Sequence, residues 1–148
     1  MEKVFEIKNI QNVLVDSDVF MDYFLDRKPH STYSIQFLDI CVRENIRLNA
    51  TPLSFANIYY LLKRSSTGKK AINALRDLAR MVNIIKMNDQ AVETALDSEW
   101  KDFEDALQYF SAKQYKSIKA IVTRNKKDYS GSSLPVFNPS EMIRLIGL

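Results

Sequence analysis

Short apolar runs recur along this chain, and each is followed by a segment with helical spacing of its apolar residues. Asn12-Val13-Leu14-Val15 stops at Asp16, and Ile46-Arg47-Leu48-Asn49-Ala50 stops at Thr51. Asn83 to Met87 and Ala120-Ile121-Val122-Thr123 are further runs, and Pro135-Val136-Phe137 reads as a short fifth. Strands this short and this apolar need cover on both faces. Alternation of strand and helix therefore predicts an α/β fold of three layers, α/β/α, around a mainly parallel sheet of four to five short strands.

The intervening segments supply the helices. Val19, Phe20, Tyr23 and Phe24 recur at helical spacing, with Asp18 placed to cap them. Ser31 to Arg43 is a second amphipathic stretch, and a third runs through Phe55, Ile58, Leu61 and Leu62 behind Thr51 or Ser54 as its cap. Thr67 opens a fourth, with Ala71, Ile72, Leu75, Leu78 and Ala79 as its stripe. Asp89 to Leu96, Asp102 to Tyr115 and a segment starting at Pro139 complete the set. No repeat or linker interrupts the 148 residues, so residues 1–148 read as one domain.

Rare residues restrict the chemistry. One cysteine, Cys41, and one histidine, His30, leave no internal disulfide and too few ligands for a Cys/His zinc site. Three glycines cannot supply a phosphate-cradling loop or a dinucleotide fingerprint. A Ser-His-Asp triad would have to use His30, beside Pro29 at a helix start. Any catalysis is expected from carboxylates. No apolar run approaches the ~20 residues of a membrane helix. Met1 to Phe5 lack the plan of a secretory signal. The expected setting is a reducing cytoplasm, away from any membrane.

Net charge is +3, unevenly spread. Residues 61–86 carry seven bases, Lys63, Arg64, Lys69, Lys70, Arg76, Arg80 and Lys86, against the single acid Asp77. Such a stretch on a helix is ordinarily a solvated face. It gains meaning as a phosphate-binding face if an acidic metal site lies nearby.

Three segments carry acids or amides at places suited to a site. Asp16 follows the first strand directly, where ligands of parallel sheets collect, and Asp18 comes next but one. Asp102 and Asp105 share one helix face. The helix dipole accounts for Asp102, but Asp105 lies at the edge of the apolar stripe. Asn125 and Asp128 follow the fourth strand, and each taken singly reads as a turn residue. Together these hard oxygen donors point to Mg²⁺ or Mn²⁺.

Four stretches resemble the PIN-domain family, the metal-dependent ribonuclease fold of bacterial VapC-type toxins. They are Val13-Leu14-Val15-Asp16-Ser17-Asp18-Val19, Thr51 to Leu62, Asp102-Phe103-Glu104-Asp105-Ala106-Leu107-Gln108-Tyr109, and Ile121-Val122-Thr123-Arg124-Asn125-Lys126-Lys127-Asp128-Tyr129. They occur in the family's order and span residues 13–129. The resemblance implies that Asp16 and Asp105 are the principal metal ligands, with Asp102 close by and Asp128 completing the late loop. Asn125 takes the place of the family's late acidic or amide residue. Ser17, Asp18 and Thr123 would support the site, and Arg124, Lys126, Lys63 and Arg64 would meet RNA. Most members carry a glutamate where Asn57 stands, so one charge is missing here, and Asp18 is placed to restore it.

The implied function is a Mg²⁺- or Mn²⁺-dependent endoribonuclease, the toxin of a type II toxin–antitoxin pair, silenced by a cognate antitoxin protein. The alternative is a PIN-fold module that binds RNA or protein with weak or absent cleavage. A receiver-type signalling domain shares the strand–helix alternation but leaves Asp102, Asp105, Asn125 and Asp128 without a role. Family members often form homodimers through their early helices. Phe24, Phe37, Tyr59 and Tyr60 could serve that contact but read better as core.

Overall fold

A computed structural model describes residues 10–147, so the reading of residues 1–5 as lacking a signal lies outside the described residues. Five strands form one fully parallel sheet: β1 (Asn12–Val15), β2 (Arg47–Ala50), β3 (Asn83–Ile84), β4 (Ala120–Val122) and β5 (Val136–Phe137). Their spatial order is β3-β2-β1-β4-β5. The chain therefore winds one way from β1 to β3 and the other way from β4 to β5. The crevice between β1 and β4 is the point where the winding reverses, and side chains at the carboxyl ends of both strands open into it.

Seven helices cover the sheet: α1 (Ser17–Leu25), α2 (His30–Arg43), α3 (Pro52–Ser65), α4 (Gly68–Met81), α5 (Asp89–Asp97), α6 (Phe103–Lys113) and α7 (Pro139–Ile146). The strand period of two assigns them to layers. Val13 and Val15 point into a large core with Phe20 of α1, Phe37 and Leu38 of α2, Ile58 of α3, Leu78 of α4 and Met142 of α7. Leu14 and Ile121 point the other way, onto Tyr109 and Ala112 of α6 and onto Tyr129. Ala91 and Ala95 of α5 pack on Ala106 and Leu107 of α6. Five helices thus stand on one face and two on the other, which meets the three-layer expectation.

Local details depart from the sequence reading in places. Asp16, not Asp18, caps α1, because the helix begins immediately after the strand. β3 pairs over only two residues. Beyond it Ile85 turns into the second core, and Lys86 N–H donates to the Tyr115 hydroxyl at 2.8 Å. Thr51 caps α3. Phe37 is buried as expected and Phe24 and Tyr59 are half-buried, but Tyr60 is 67% exposed because it lies on the outer side of α3.

Trp100 stacks on Tyr109 with ring centroids 4.6 Å apart and meets Tyr129 edge-on at 5.7 Å. Gly131 lies against its indole, where a Cβ would come within 2.9 Å of Nε1. This aromatic block holds the short 3-10 turn of residues Lys126–Tyr129 against α6. No helix among the described residues is long and apolar enough to cross a membrane.

Candidate active site

Asp16 sits where β1 ends and α1 begins, at the reversal crevice. Its backbone N–H still belongs to the sheet, donating to Val122 O at 2.9 Å. Its side chain is buried and receives three donors. Ser17 N–H at 2.7 Å and Gln108 Nε2 at 3.1 Å bond Oδ1, and Thr123 Oγ1 at 2.9 Å bonds Oδ2. None of these donors is charged. Burial pushes the Asp16 carboxyl above the usual carboxylate range against the pull of these hydrogen bonds, and the Asp128 charge adds to the rise.

Asp18 faces the same crevice from the first turn of α1. Its Oδ2 accepts from Arg124 N–H at 3.1 Å and Asn125 Nδ2 at 3.3 Å, with Thr123 Oγ1 at 3.4 Å. Its Oδ1 is buried with no hydrogen-bond partner. Burial, then the charge of Asp16, raises its carboxyl to about 7. Asn125 N–H donates to Thr123 Oγ1 at 3.0 Å, which leaves the hydroxyl proton for Asp16.

Asp105 comes from the opposite layer. It is half-buried on the first turn of α6, and its Oδ1 accepts from the Tyr129 hydroxyl at 3.2 Å. Burial and the charges of Asp16, Asp102 and Asp128 raise it to about 7. Tyr129 is itself pushed well above the usual phenol value by burial and by the neighbouring carboxylates, so it stays protonated and donates.

One buried amide joins the two sides. Gln108 Nε2 reaches Asp16 Oδ1 and, at 3.3 Å, the Tyr129 hydroxyl. Its Oε1 accepts from Ser54 Oγ at 2.9 Å and Thr51 Oγ1 at 3.0 Å. Ser17 Oγ closes the ring by donating to Ser54 Oγ at 2.8 Å. A carboxylate at one end and hydroxyls at the other fix which way the amide points. Gln108, Tyr129, Ser54 and Thr51 were not among the residues marked for the site. Gln108 follows Asp105 by three and so shares its face, a usable signal. It was hidden among Ala106, Leu107 and Tyr109, which read as core.

The other marked residues fall into two groups. Asp102 caps α6 by accepting from Asp105 N–H at 3.0 Å and lies exposed at the rim. Asp128 is exposed on the 3-10 turn, close enough for its charge to be felt at Asp16 and Asp105. Arg124 Nε lies 2.6 Å from Asp22 Oδ2, a charge contact rather than an aligned hydrogen bond. Asn57 makes no hydrogen bond to a described aspartate and gives a long 3.5 Å hydrogen bond to Glu104. Lys126 pairs with Glu141 at 2.9 Å. Lys63 and Arg64 close the far end of α3, roughly 14 Å along its axis from Ser54.

Among the described residues no three His, Cys, Asp or Glu side chains are drawn together tightly enough to hold a metal ion. The donor chemistry nonetheless fits one. Neither Asp16 nor Asp105 forms an ion pair with a described Lys or Arg, the set is all hard oxygen, and Asp18 keeps an uncommitted buried oxygen.

A PIN-domain family model matches residues 12–127, most of the chain. The protein belongs to the PIN-domain family. This PIN domain is 31% identical over 127 residues to ribonuclease VapC1 of Aquifex aeolicus, covering 82% of the chain and 87% of that relative. Its fold is similar to a toxin–antitoxin complex from Klebsiella pneumoniae, with a TM-score of 0.63 at 20% identity over 86% of this chain and 97% of that one. It is also similar to Mycobacterium tuberculosis VapC20, a sarcin-ricin-loop-cleaving toxin, with a TM-score of 0.57 at 15% identity over 74% of this chain and 86% of that one. The two solved structures bear on the fold of this PIN domain and the ribonuclease relative on its family.

Proposed function

We propose that this PIN domain is a VapC-type toxin endoribonuclease that hydrolyses RNA phosphodiesters with Mg²⁺ or Mn²⁺ and is held silent by an antitoxin protein. The observation that carries it is the pairing of Asp16 and Asp105 across the crevice by Gln108 and Tyr129, with no described Lys or Arg in ion-pair contact with either. A carboxylate set without counter-charge at the carboxyl edge of a parallel sheet suits a hard divalent ion. The 31% identity to a ribonuclease agrees with that use.

Asp16, Asp105 and Asp18 would hold the ion, with Asp128 and Asp102 at its rim. Such an ion supplies charge neutralisation and Lewis acidity for a phosphodiester. The chain's own residues do the rest. Thr123 and Gln108 hold both Asp16 oxygens in place, and Tyr129 holds one Asp105 oxygen. Asp105 Oδ2, free of that bond, is the oxygen left to face the ion or an attacking water.

One observation favours the binding-module alternative. α3 brings no carboxylate to the site, since Asn57 is turned to Glu104. Incubation with mixed transfer RNA and other structured RNAs in Mg²⁺, Mn²⁺ and EDTA separates the two. The nuclease reading expects cleavage that needs metal and is absent in folded Asp16→Asn protein. RNA binding without cleavage in any metal would establish the alternative, and Asn57→Glu would then be the substitution to try for restoring activity.

A further inference from the structure

The only histidine has no part in the carboxylate network, yet it lies close to it. His30, exposed at the first turn of α2, lines a solvent-open cavity of about 240 Å³ with Tyr33, Arg124, Asn138, Pro139 and Ser140. The cavity lies between the starts of α2 and α7, beside the carboxyl end of β4. Arg124 ties it to the site. The backbone N–H of Arg124 donates to Asp18, and the preceding residue, Thr123, bonds Asp16.

The lining has a consistent character. It contains a guanidinium, an imidazole, a phenol ring 51% exposed, an amide and a hydroxyl, and no carboxylate. That is the reverse of the crevice next to it. Asp22 anchors the guanidinium from below. This carboxylate is fully buried and is shared between Arg124, Arg27 at 3.0 Å and Ser34 of α2 at 3.2 Å. The wall that carries His30 and Tyr33 is thus tied to the loop that carries Arg124. Ser140 and Asn138 bond each other, so the lip formed by the start of α7 is also held. The volume is below the roughly 300–1,000 Å³ of pockets that engulf whole ligands. It suits one unit of a polymer lying across the surface.

We infer that this cavity is a nucleotide subsite for single-stranded RNA. Arg124 and His30 would meet the phosphate of the nucleotide next to the one cleaved, and the Tyr33 ring would stack its base. Single-stranded RNA is held in this way, by cations on phosphate and aromatic rings under bases. The inference rests on the ribonuclease reading for the direction of the RNA. It does not need cleavage in order to be tested.

A chain with one histidine gives one imidazole Hε1 signal by NMR, provided the protein carries no affinity tag. That signal is followed in EDTA while adenosine 5′-monophosphate, inorganic phosphate and adenosine are added separately. A fluorescein-labelled mixed-sequence RNA decamer is titrated in parallel by anisotropy. The nucleotide is expected to shift the His30 signal saturably and more tightly than phosphate or adenosine alone. Tyr33→Ala is expected to weaken decamer and nucleotide binding about tenfold, the low end of what losing one base–aromatic stack costs. Tyr33→Phe should bind as the parent does. A His30 signal indifferent to the nucleotide overturns the subsite and leaves the cavity to a protein partner. Phosphate binding as tightly as the nucleotide, or Tyr33→Ala binding unchanged, overturns it as well. RNA cleavage with a silent His30 would remove the subsite alone. Nucleotide binding without cleavage would remove the nuclease reading alone.

Discussion

Asp16, which caps α1, and Asp22, in the second half of the same helix, are both buried aspartates, and their surroundings differ in kind. Asp22 meets two guanidinium groups, from Arg27 and Arg124, together with the Ser34 hydroxyl. Asp16 meets a hydroxyl, an amide and a backbone N–H, all neutral, and its nearest charges are other carboxylates. Burying a carboxylate is tolerable when opposite charge accompanies it and costly otherwise. Asp22 is satisfied within the fold and serves to lock α1, α2 and the loop after β4 together. Asp16 is held in orientation by neutral donors, and no described Lys or Arg pairs with it.

The sharpest break in this comparison is Asp16→Asn. The amide keeps the shape and an acceptor for Thr123 or Ser17 but removes the charge. RNA cleavage is expected to fall by about 10³-fold or more, since a metal-assisted step loses several kcal/mol. The metal-free protein should melt no lower than the parent, because an uncompensated buried charge has gone. Cleavage at parental rates by the folded variant would be fatal to the assignment.

Asp22→Asn should do the opposite. Two guanidinium groups lose their shared partner, at a cost of about 2–3 kcal/mol in urea denaturation. The low end of the range for buried pairs applies because Arg27 and Arg124 both keep some contact with water. An unchanged urea midpoint would show that Asp22 is not the lock described here.

A smaller effect follows from pH. The carboxyls of Asp18 and Asp105 are raised from an ordinary value near 3.8 to about 7, and Asp16 is raised too. The folded chain therefore binds protons that the unfolded chain has released between about pH 4 and pH 7. That part of the stability is fully present below pH 4 and is lost as pH rises through 7. Thermal midpoints of metal-free protein should accordingly be higher near pH 5 than near pH 8, and added Mn²⁺ should recover the loss near pH 8. Midpoints that rise with pH in EDTA would contradict the dominance of burial over favourable charge at these aspartates. The size is tempered at Asp105, which is only half-buried.

The mildest change is Tyr129→Phe, which deletes one hydroxyl and leaves the ring beside Trp100. Asp105 loses its donor and Gln108 loses an acceptor. Cleavage is expected to drop about tenfold, equivalent to one charge-assisted hydrogen bond. Titration of divalent ion against the fluorescence of the single Trp100, 5.7 Å from the Tyr129 ring, should show weaker binding. Unchanged metal affinity together with unchanged rate would remove Tyr129 from the site.

Much of this fold is legible in the sequence. Val13-Leu14-Val15-Asp16 reads as a buried strand ending in an acid because three consecutive apolar residues need cover on both faces, and the structure has them so. Asp105 was marked by its position at the margin of an apolar stripe, and it does face the crevice. Local preference points to Asp18 as the cap of α1, but Asp16 and Asp18 are both competent caps and only the end of the strand chooses between them. Tyr60 was placed in the core by its ring, whereas the direction of α3 leaves it in solvent.

Residue order alone thus determined the alternation of strand and helix, the shortage of Cys and His for a disulfide or a Cys/His zinc site and of glycines for a phosphate loop, and the acids available to a site. Those follow from periodicity and composition, which act over a few neighbouring residues. Only the tertiary structure decided that Gln108 and Tyr129 join Asp16 to Asp105, that Ser54 rather than Asn57 enters the network, and that Asp22 rather than solvent holds Arg124. Such partners lie tens of residues apart in the chain. A buried polar group takes whichever donor the folded layers place within about 3 Å, and no local pattern records that choice.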